Sequence, residues 1–169
     1  KLNKGSYYAI SKLYSEAKHR NLKNLNIVDL RIFSFFSRFI NLQDEFLMSN
    51  IANSIKYNKK LVTDKNDIIR DYVHPEDLFK IIIKCIKKEK INTAFDISSK
   101  KPISKFCLLK SLAKNYGLNY VTSNKIKTSP TGLKTKYYSK SKKITDLEVI
   151  PKYTSLQTIL MELKFLTNS

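Results

Sequence analysis

One stretch of the sequence carries more structural information than any other, and it reads Arg70-Asp71-Tyr72-Val73-His74-Pro75-Glu76-Asp77. Its first half continues a β-branched, apolar run over residues 68–73 that predicts a short strand. Pro75 then suits the first turn of a helix, and the two carboxylates after it favour the positive end of a helix dipole. The stretch therefore predicts a strand that leads into a helix over residues 78–88.

The sequence on either side alternates predicted helices and strands. Apolar residues at helical spacing predict helices over residues 6–24, 44–57, 104–116 and 155–165. Ser104 and Gly117 are the expected caps of the third of these helices. Runs rich in β-branched and aromatic residues predict strands over 26–33, 60–63 and 93–97, whereas 123–136 is polar and irregular. This alternation is typical of an α/β fold.

The net charge of +18 is the strongest feature of the composition. A field of that size attracts polyanions such as nucleic acid. However, only four of the 32 basic residues are arginines, and lysine is poorly suited to bidentate reading of bases. Lysine, asparagine, isoleucine and tyrosine are abundant together, as AT-rich coding favours. A lysine-rich nucleic-acid-binding module therefore stays as an alternative, and nucleic acid is not the expected partner.

The length and composition of the chain limit the classes of protein to which it can belong. The 169 residues, 42% of them apolar, allow one domain with a real core, and no apolar run approaches the roughly 20 residues of a membrane span. Cys85 and Cys107 lie in separate apolar stretches, which favours buried thiols in a reducing cytoplasm. His19 and His74 are far apart, so no metal site is expected. The chain starts at Lys1, and we expect its natural N-terminus to lie upstream.

Tyr8 and Lys12 are four residues apart and share one face of the first predicted helix. A lysine ammonium stabilises a phenolate, so such a tyrosine can move a proton near neutral pH. The spacing alone is not specific, because Tyr14 and Lys18 repeat it. The two residues therefore allow either a catalytic pair or an ordinary helix surface.

Five segments follow one another in a recognisable order: Tyr8-Ala9-Ile10-Ser11-Lys12 with Glu16, Leu30-Arg31-Ile32-Phe33, Arg70-Asp71-Tyr72-Val73-His74 with Asp77, Phe95-Asp96-Ile97-Ser98, and Ser141-Lys142 with Pro151 and Ser155-Leu156. Together they resemble the extended short-chain dehydrogenases/reductases, the NAD-dependent epimerase/dehydratase family. The resemblance implies the C-terminal part of a Rossmann-type enzyme, with a partial parallel sheet and a small substrate-binding α/β subdomain. Residues 1–43 would be a remnant of the dinucleotide-binding domain. Residues 44–169 would form mostly the substrate-binding subdomain, with segments that return to the Rossmann part.

The same resemblance implies roles for individual residues in an NAD(P)-dependent sugar-nucleotide epimerase, dehydratase or reductase. Tyr8 matches the catalytic acid/base, Lys12 the residue on the nicotinamide ribose, and Phe33 lies in the cofactor site. The residues matched to substrate contacts are Ser34, Arg70 and Lys134. Arg70 matches an arginine that grips the nucleotide diphosphate, and its guanidinium fork suits phosphate oxygens. A surface pair of Arg70 with Asp71 is the alternative.

The sequence departs from the family pattern at several positions. Ser34 and Ser37 stand where the family usually has the Asn and Gly of Asn-x-x-Gly-Pro. Ser129-Pro130 replaces an Arg-Pro pair, and the stretch from Thr131 to Ser139 resembles a divergent bacterial branch in which Lys134 could take over a phosphate contact. These departures leave the choice of substrate open.

The glycine-rich turn that cradles a dinucleotide is absent from the sequence, since Gly5, Gly117 and Gly132 are isolated. We therefore expect an N-terminal Rossmann half as a partner, and an open sheet edge with exposed apolar surface where that half would lie. The chain alone is expected to be inactive and to bind NAD or NADP weakly. A homodimer and a non-catalytic partner subunit are kept as further alternatives. We also expect the Tyr8 oxygen to face an open cleft near the end of strand 26–33.

Overall fold

The computed structural model describes residues 4–124 and 135–167. Within these residues the helices are α1 (Lys4–Asn21), α2 (Leu47–Lys56), α3 (Pro75–Ile86), α4 (Lys105–Tyr116) and α5 (Ser155–Thr167), with a short 3₁₀ helix at Lys143–Leu147. The strands are β1 (Ile27–Ile32), β2 (Ser34–Phe35), β3 (Leu61–Asp64), β4 (Ile69–Arg70), β5 (Tyr72–Val73), β6 (Asn92–Ile97), β7 (Ile103–Ser104), β8 (Tyr120–Ser123) and β9 (Lys136–Tyr137). The α/β class expected from the sequence is confirmed.

β1 and β6 form a parallel two-stranded sheet at the centre of one layer. Their register runs from Ile27 opposite Asn92 to Ile32 opposite Ile97. Side chains on a strand alternate between faces, and Val28 and Leu30 pack into an apolar cluster with α3. Asp29 and Arg31, on the other face, bond to side chains of α1. The sheet is therefore sandwiched between α1 and α3, which confirms the partial parallel sheet.

The second core gathers three helices around another parallel pair of strands. Residues of α2, α4 and α5 supply most of its fully buried side chains, among them Ile51, Leu109, Leu112, Ile159 and Leu163. β3 pairs with β8 in parallel. β8 was not predicted from the sequence, because its four residues are half polar. The boundary predicted at residue 43 stays a prediction, although the two cores separate β1 and β6 from α2, α4 and α5.

The stretch Arg70–Asp77 is held by the pairings of β4 and β5 with other short strands. β4 pairs antiparallel with β7 and parallel with β9, and β5 pairs in parallel with β2. The single strand predicted over residues 68–73 is therefore wrong: it is two short strands, β4 and β5, which belong to different sheets and are interrupted at Asp71. Neither of them pairs with β3, the strand predicted before the turn at residues 64–67.

Local signals at the helix ends were predictive. The His74 ring Nδ1 accepts a hydrogen bond from the Glu76 backbone N at 3.1 Å, so α3 starts at Pro75. Ser104 caps α4 by accepting from Cys107 N, and Gly117 ends α4 with φ of 65°. The burial expected of both cysteines is only partly met by Cys85, which is half-buried against the core. It is wrong for Cys107, which is exposed because α4 turns its leucines toward the core instead.

Candidate functional site

Tyr8 and Lys12 lie on α1 and face solvent. The Lys12 Nζ is 5.5 Å from the centre of the Tyr8 ring. Tyr8 is 66% exposed, so its ring is not enclosed in a core. The predicted placement of both residues on one helix is confirmed.

Contacts further along α1 fix the direction of this helix over the sheet. The Arg20 Nη2 donates to Asp29 Oδ2 at 2.6 Å, and one turn earlier in α1 Glu16 accepts from Arg31 Nε at 2.9 Å. Four residues back along the helix thus correspond to two residues forward along β1, as expected from rises of about 1.5 Å and about 3.3 Å per residue. α1 and β1 are therefore antiparallel.

The direction of α1 also orders the predicted catalytic pair. Lys12 and Tyr8 lie four and eight residues before Glu16 on α1, and therefore toward the carboxyl end of β1. Ligands of open α/β sheets bind at that end. The orientation of the Tyr8 oxygen toward a cleft stays a prediction.

A chain of charged and polar side chains fastens α1 to the sheet. Arg31 donates to both carboxylate oxygens of Glu16, and its Nη1 donates to Asp96 Oδ1 at 2.9 Å. The hydroxyl of Ser139 donates to the second oxygen of Asp96 at 2.5 Å. The hydrogen bond from Arg31 lowers the pKa of Glu16, so this carboxylate stays ionised near neutral pH. The position of α1 thus depends on β1, β6 and the segment after β9.

Tyr137 joins two of the residues predicted to bind ligands. Its ring meets the Phe33 ring edge to face, with the centres 5.2 Å apart. The Arg70 guanidinium carbon lies 5.6 Å from the centre of the same ring. Arg70 and Tyr137 are opposite each other in the β4–β9 pair. The structure therefore brings Phe33 and Arg70 to one place, with Tyr137 between them.

Ser34 lies next to this group. It is half-buried on β2 and is the register partner of Tyr72 on β5. Burial raises the pKa of Tyr72 to about 12, so its phenol is neutral near pH 7.

Arg70 also lines a small pocket. The other residues that line it are Leu47, Ile68, Tyr72, Ile103, Ser104, Lys105 and Leu108. Lys105 Nζ donates to the Asp64 backbone O at 2.7 Å and to Asp64 Oδ1 at 3.1 Å, so its charge is balanced within the fold. Burial lowers the pKa of Arg70, yet a guanidinium keeps its charge in proteins. The pocket therefore combines mostly apolar walls with a cationic fork.

The alternative of a surface pair between Arg70 and Asp71 is wrong. Asp71 is only 1% exposed. Its carboxylate accepts from Ser99 N at 2.9 Å and from Ser155 Oγ at 3.3 Å, which ties β5 to β6 and α5. Arg70 thus faces the pocket, while the residue after it is buried in the interior.

Lys134, the third residue matched to substrate contacts, lies outside the described residues, and so do Ser129 and Pro130. Within residues 4–124 and 135–167, no cluster of three or more His, Cys, Asp or Glu side chains is arranged to hold a metal ion. None of the helices in that part of the chain combines the length and apolar content of a membrane span.

The sequence did not predict that Ile103 and Ser104 line the pocket of Arg70, or any role for Tyr137. Ile103 and Ser104 reach Arg70 because β7 pairs with β4, more than 30 residues away in sequence. No local pattern signals such a pairing. Tyr137 lies in a polar stretch whose only signal is two adjacent tyrosines among lysines.

Comparison with known proteins agrees with the α/β fold described above. The model of the NAD dependent epimerase/dehydratase family matches residues 1–98. No curated protein matches the sequence. Similar solved structures include "Pal" from Bacillus thuringiensis, at 17% identity and a TM-score of 0.80, over 99% of this chain and 55% of that one.

Two further structures contain NAD. UDP-glucuronic acid 4-epimerase from Bacillus cereus, with UDP-glucuronic acid and NAD, gives 15% identity and a TM-score of 0.77 over 94% of this chain and 51% of that one. dTDP-glucose 4,6-dehydratase from Bacillus anthracis, with NAD, gives 16% identity and a TM-score of 0.74, over 94% of this chain and 50% of that one. The chain thus spans about half the length of these structures. Since the family model covers more than half of the sequence, this chain belongs to the NAD-dependent epimerase/dehydratase family.

Proposed function

We propose that this chain is the catalytic and substrate-binding half of an NAD(P)-dependent sugar-nucleotide epimerase, dehydratase or reductase. The observation that carries the proposal is the group formed by Phe33, Tyr137 and Arg70. The guanidinium fork of Arg70 suits the oxygens of a diphosphate. Phe33 and Ser34 directly follow β1, so a sugar joined to the diphosphate would lie near the carboxyl end of that strand.

The residues at the carboxyl end of β1 fit the nicotinamide end of a cofactor. Lys12 and Tyr8 share α1, on the side of that helix that leads toward the carboxyl end of β1, and both are open to solvent. The isolated glycines of the chain do not fit the pyrophosphate end, which needs close backbone approach at a helix N-terminus. The proposal therefore assigns that end to an N-terminal Rossmann half, in the cytoplasm.

The chemistry of the proposal rests on two side chains. The bound nicotinamide supplies hydride transfer. Tyr8 takes the proton from a sugar hydroxyl, or returns it, and Lys12 holds the nicotinamide ribose beside it. Arg70 holds the diphosphate so that the sugar stays within reach of the Tyr8 oxygen.

The first experiment titrates the chain with UDP-glucuronic acid and with a labelled single-stranded oligonucleotide, at low and moderate salt. Arg70→Ala is expected to weaken nucleotide-sugar binding by the equivalent of about 1.5–3 kcal/mol, the value of a charged hydrogen bond. Lys110→Ala, which removes an exposed lysine of α4, is the matched control and should bind like the wild type.

Oligonucleotide binding decides the main alternative. A nucleic-acid-binding module would bind the oligonucleotide tightly, with affinity falling steeply and linearly on a log-log salt plot. If that behaviour is found and Arg70→Ala changes nothing, the nucleotide-sugar proposal is wrong.

The second experiment concerns the acid/base and requires the chain joined to its N-terminal half. Tyr8→Phe should lower turnover on the order of 100-fold or more, as expected when a proton-transfer group is lost. Tyr14→Phe is the matched control, since Tyr14 and Lys18 repeat the spacing on the same helix. No turnover in the joined wild-type protein would favour a non-catalytic partner subunit. Equal turnover of wild type and Tyr8→Phe would remove Tyr8 from the mechanism.

A further inference from the structure

A buried carboxylate lies beside the loop that joins β2 to α2, defined here as residues 36–46. Glu162 of α5 is only 2% exposed. Its Oε2 accepts from the Arg38 backbone N at 2.7 Å and from Arg38 Nε at 3.0 Å, and its Oε1 accepts from Arg38 Nη2 at 2.9 Å. The Arg38 guanidinium also stacks on Phe165, 3.3 Å from the ring centre. Backbone and side chain of one loop residue are thus held by one helix.

Glu162 also faces the strand that follows Arg70. His74 directly follows β5, and its ring Nε2 lies 3.8 Å from Glu162 Oε1. Its other ring nitrogen accepts the hydrogen bond that starts α3. The carboxylate therefore lies between the exit of β2 and the exit of β5, two strands paired through Ser34 and Tyr72.

The loop held by this carboxylate connects two parts of the pocket of Arg70. Upstream, Ser34 is paired with Tyr72, which lines the pocket, and downstream Leu47 lines it from the start of α2. The far end of the loop is bound to α2, where Asn53 Nδ2 donates to Leu42 O at 2.6 Å. The near end is bound to α5 through Arg38.

A buried ion pair adds little to the stability of a fold, because removing two charges from water costs free energy. Apolar residues of similar size often stabilise a fold as well or better. A forked pair with three hydrogen bonds does fix direction and distance. We propose that Arg38 and Glu162 are positioning residues, which hold the β2–α2 loop so that Ser34 and Leu47 keep their places near Arg70 for the binding of a nucleotide sugar. This inference rests on the proposed function of Arg70.

The test measures the dissociation constant for UDP-glucuronic acid in Arg38→Gln, Glu162→Gln and the double variant. The temperature is chosen so that circular dichroism shows every variant folded, because stability loss alone then leaves the dissociation constant unchanged. Each single variant should bind at least about threefold more weakly, and the double variant no more weakly than the weaker single, since residues in one network are not additive. Arg38→Lys should be intermediate, because a lysine keeps the charge but not the fork. Lys164→Gln, an exposed change on α5, should bind like the wild type.

The outcomes separate this inference from the proposed function. A wild type that binds no nucleotide sugar overturns both. If the wild type binds UDP-glucuronic acid and both Arg38→Gln and Arg38→Lys bind it with the same dissociation constant as the wild type, the positioning role alone is overturned. Additive effects of the two single changes would also overturn it. If Glu162→Gln does not fold, the two Arg38 variants decide the result.

Discussion

Arg70 and Asp71 are adjacent in sequence but have different surroundings in the structure. Arg70 faces a pocket, whereas the Asp71 carboxylate is buried on Ser99 and Ser155. The alternation of a strand predicts that two neighbours diverge, but it does not say which of them meets the core. The capping role of His74 could not be predicted from the sequence, because histidine is not among the usual N-cap residues. At this scale the sequence predicts residue types and spacing, and tertiary contacts decide their use.

His74 gives a prediction about pH. Burial lowers the pKa of its ring, so the unfolded chain binds a proton more readily than the folded one. The contribution of His74 to the free energy of unfolding should therefore fall as pH drops below about 6.5, by at most about 1.4 kcal/mol per pH unit. His74→Asn keeps a side-chain oxygen for the cap and removes the titration. Urea unfolding from pH 8 to pH 5 should show a smaller pH dependence for this variant. Parallel curves would show that the ring protonates equally in both states.

Helices and strands could be predicted from local signals, and their pairings could not. Pro75, Ser104 and Gly117 mark helix ends that the structure shows within two residues. The pairing of β3 with β8, and of β4 with β7 and β9, joins segments far apart in sequence. Short strands of two residues have too little pattern for their partners to be read, so the pocket that they form was not predicted.

Gly117 gives a prediction about one helix end. Its φ of 65° lies in the left-handed region, and a Cβ there would meet no atom within 4 Å. Gly117→Ala should therefore destabilise the fold through backbone strain alone, by about 1–2 kcal/mol. Gly117→Asn should cost less, because asparagine enters this region more readily. Chemical denaturation of both variants measures the difference. Equal stability of Gly117→Ala and wild type would mean that α4 ends differently in solution.

The molecule as a whole exposes apolar surface of the kind expected beside an N-terminal half. In the described residues β1 pairs with β6 alone, so its other edge is open. α1 carries an exposed apolar stripe, whose members are Tyr7, Ile10, Leu13, Tyr14 and Ala17. Glu16 and Arg20, which are polar, make the contacts of α1 with β1. A helical pattern in the sequence predicts an apolar face, but not that this face is left exposed.

The stripe on α1 gives a prediction for the whole fold. The double change Ile10→Gln and Leu13→Gln should alter the free energy of unfolding by no more than about 0.5 kcal/mol per site, because both side chains are exposed. It should also reduce the fluorescence of a dye that binds apolar surface. Ile51→Ala, in the fully buried core, should cost about 2–5 kcal/mol. A loss of similar size from the α1 changes would place the stripe inside the fold.

The most direct test of the proposed function is a titration of isotope-labelled chain with UDP-glucuronic acid, followed by amide chemical shifts. We predict progressive, saturable shifts grouped at β4, β5, β7 and the first turn of α4, around Arg70. Arg70→Ala should weaken that response without moving it elsewhere. Shifts spread over the lysine-bearing surface, with none around Arg70, would contradict the claim that Arg70 binds a nucleoside diphosphate.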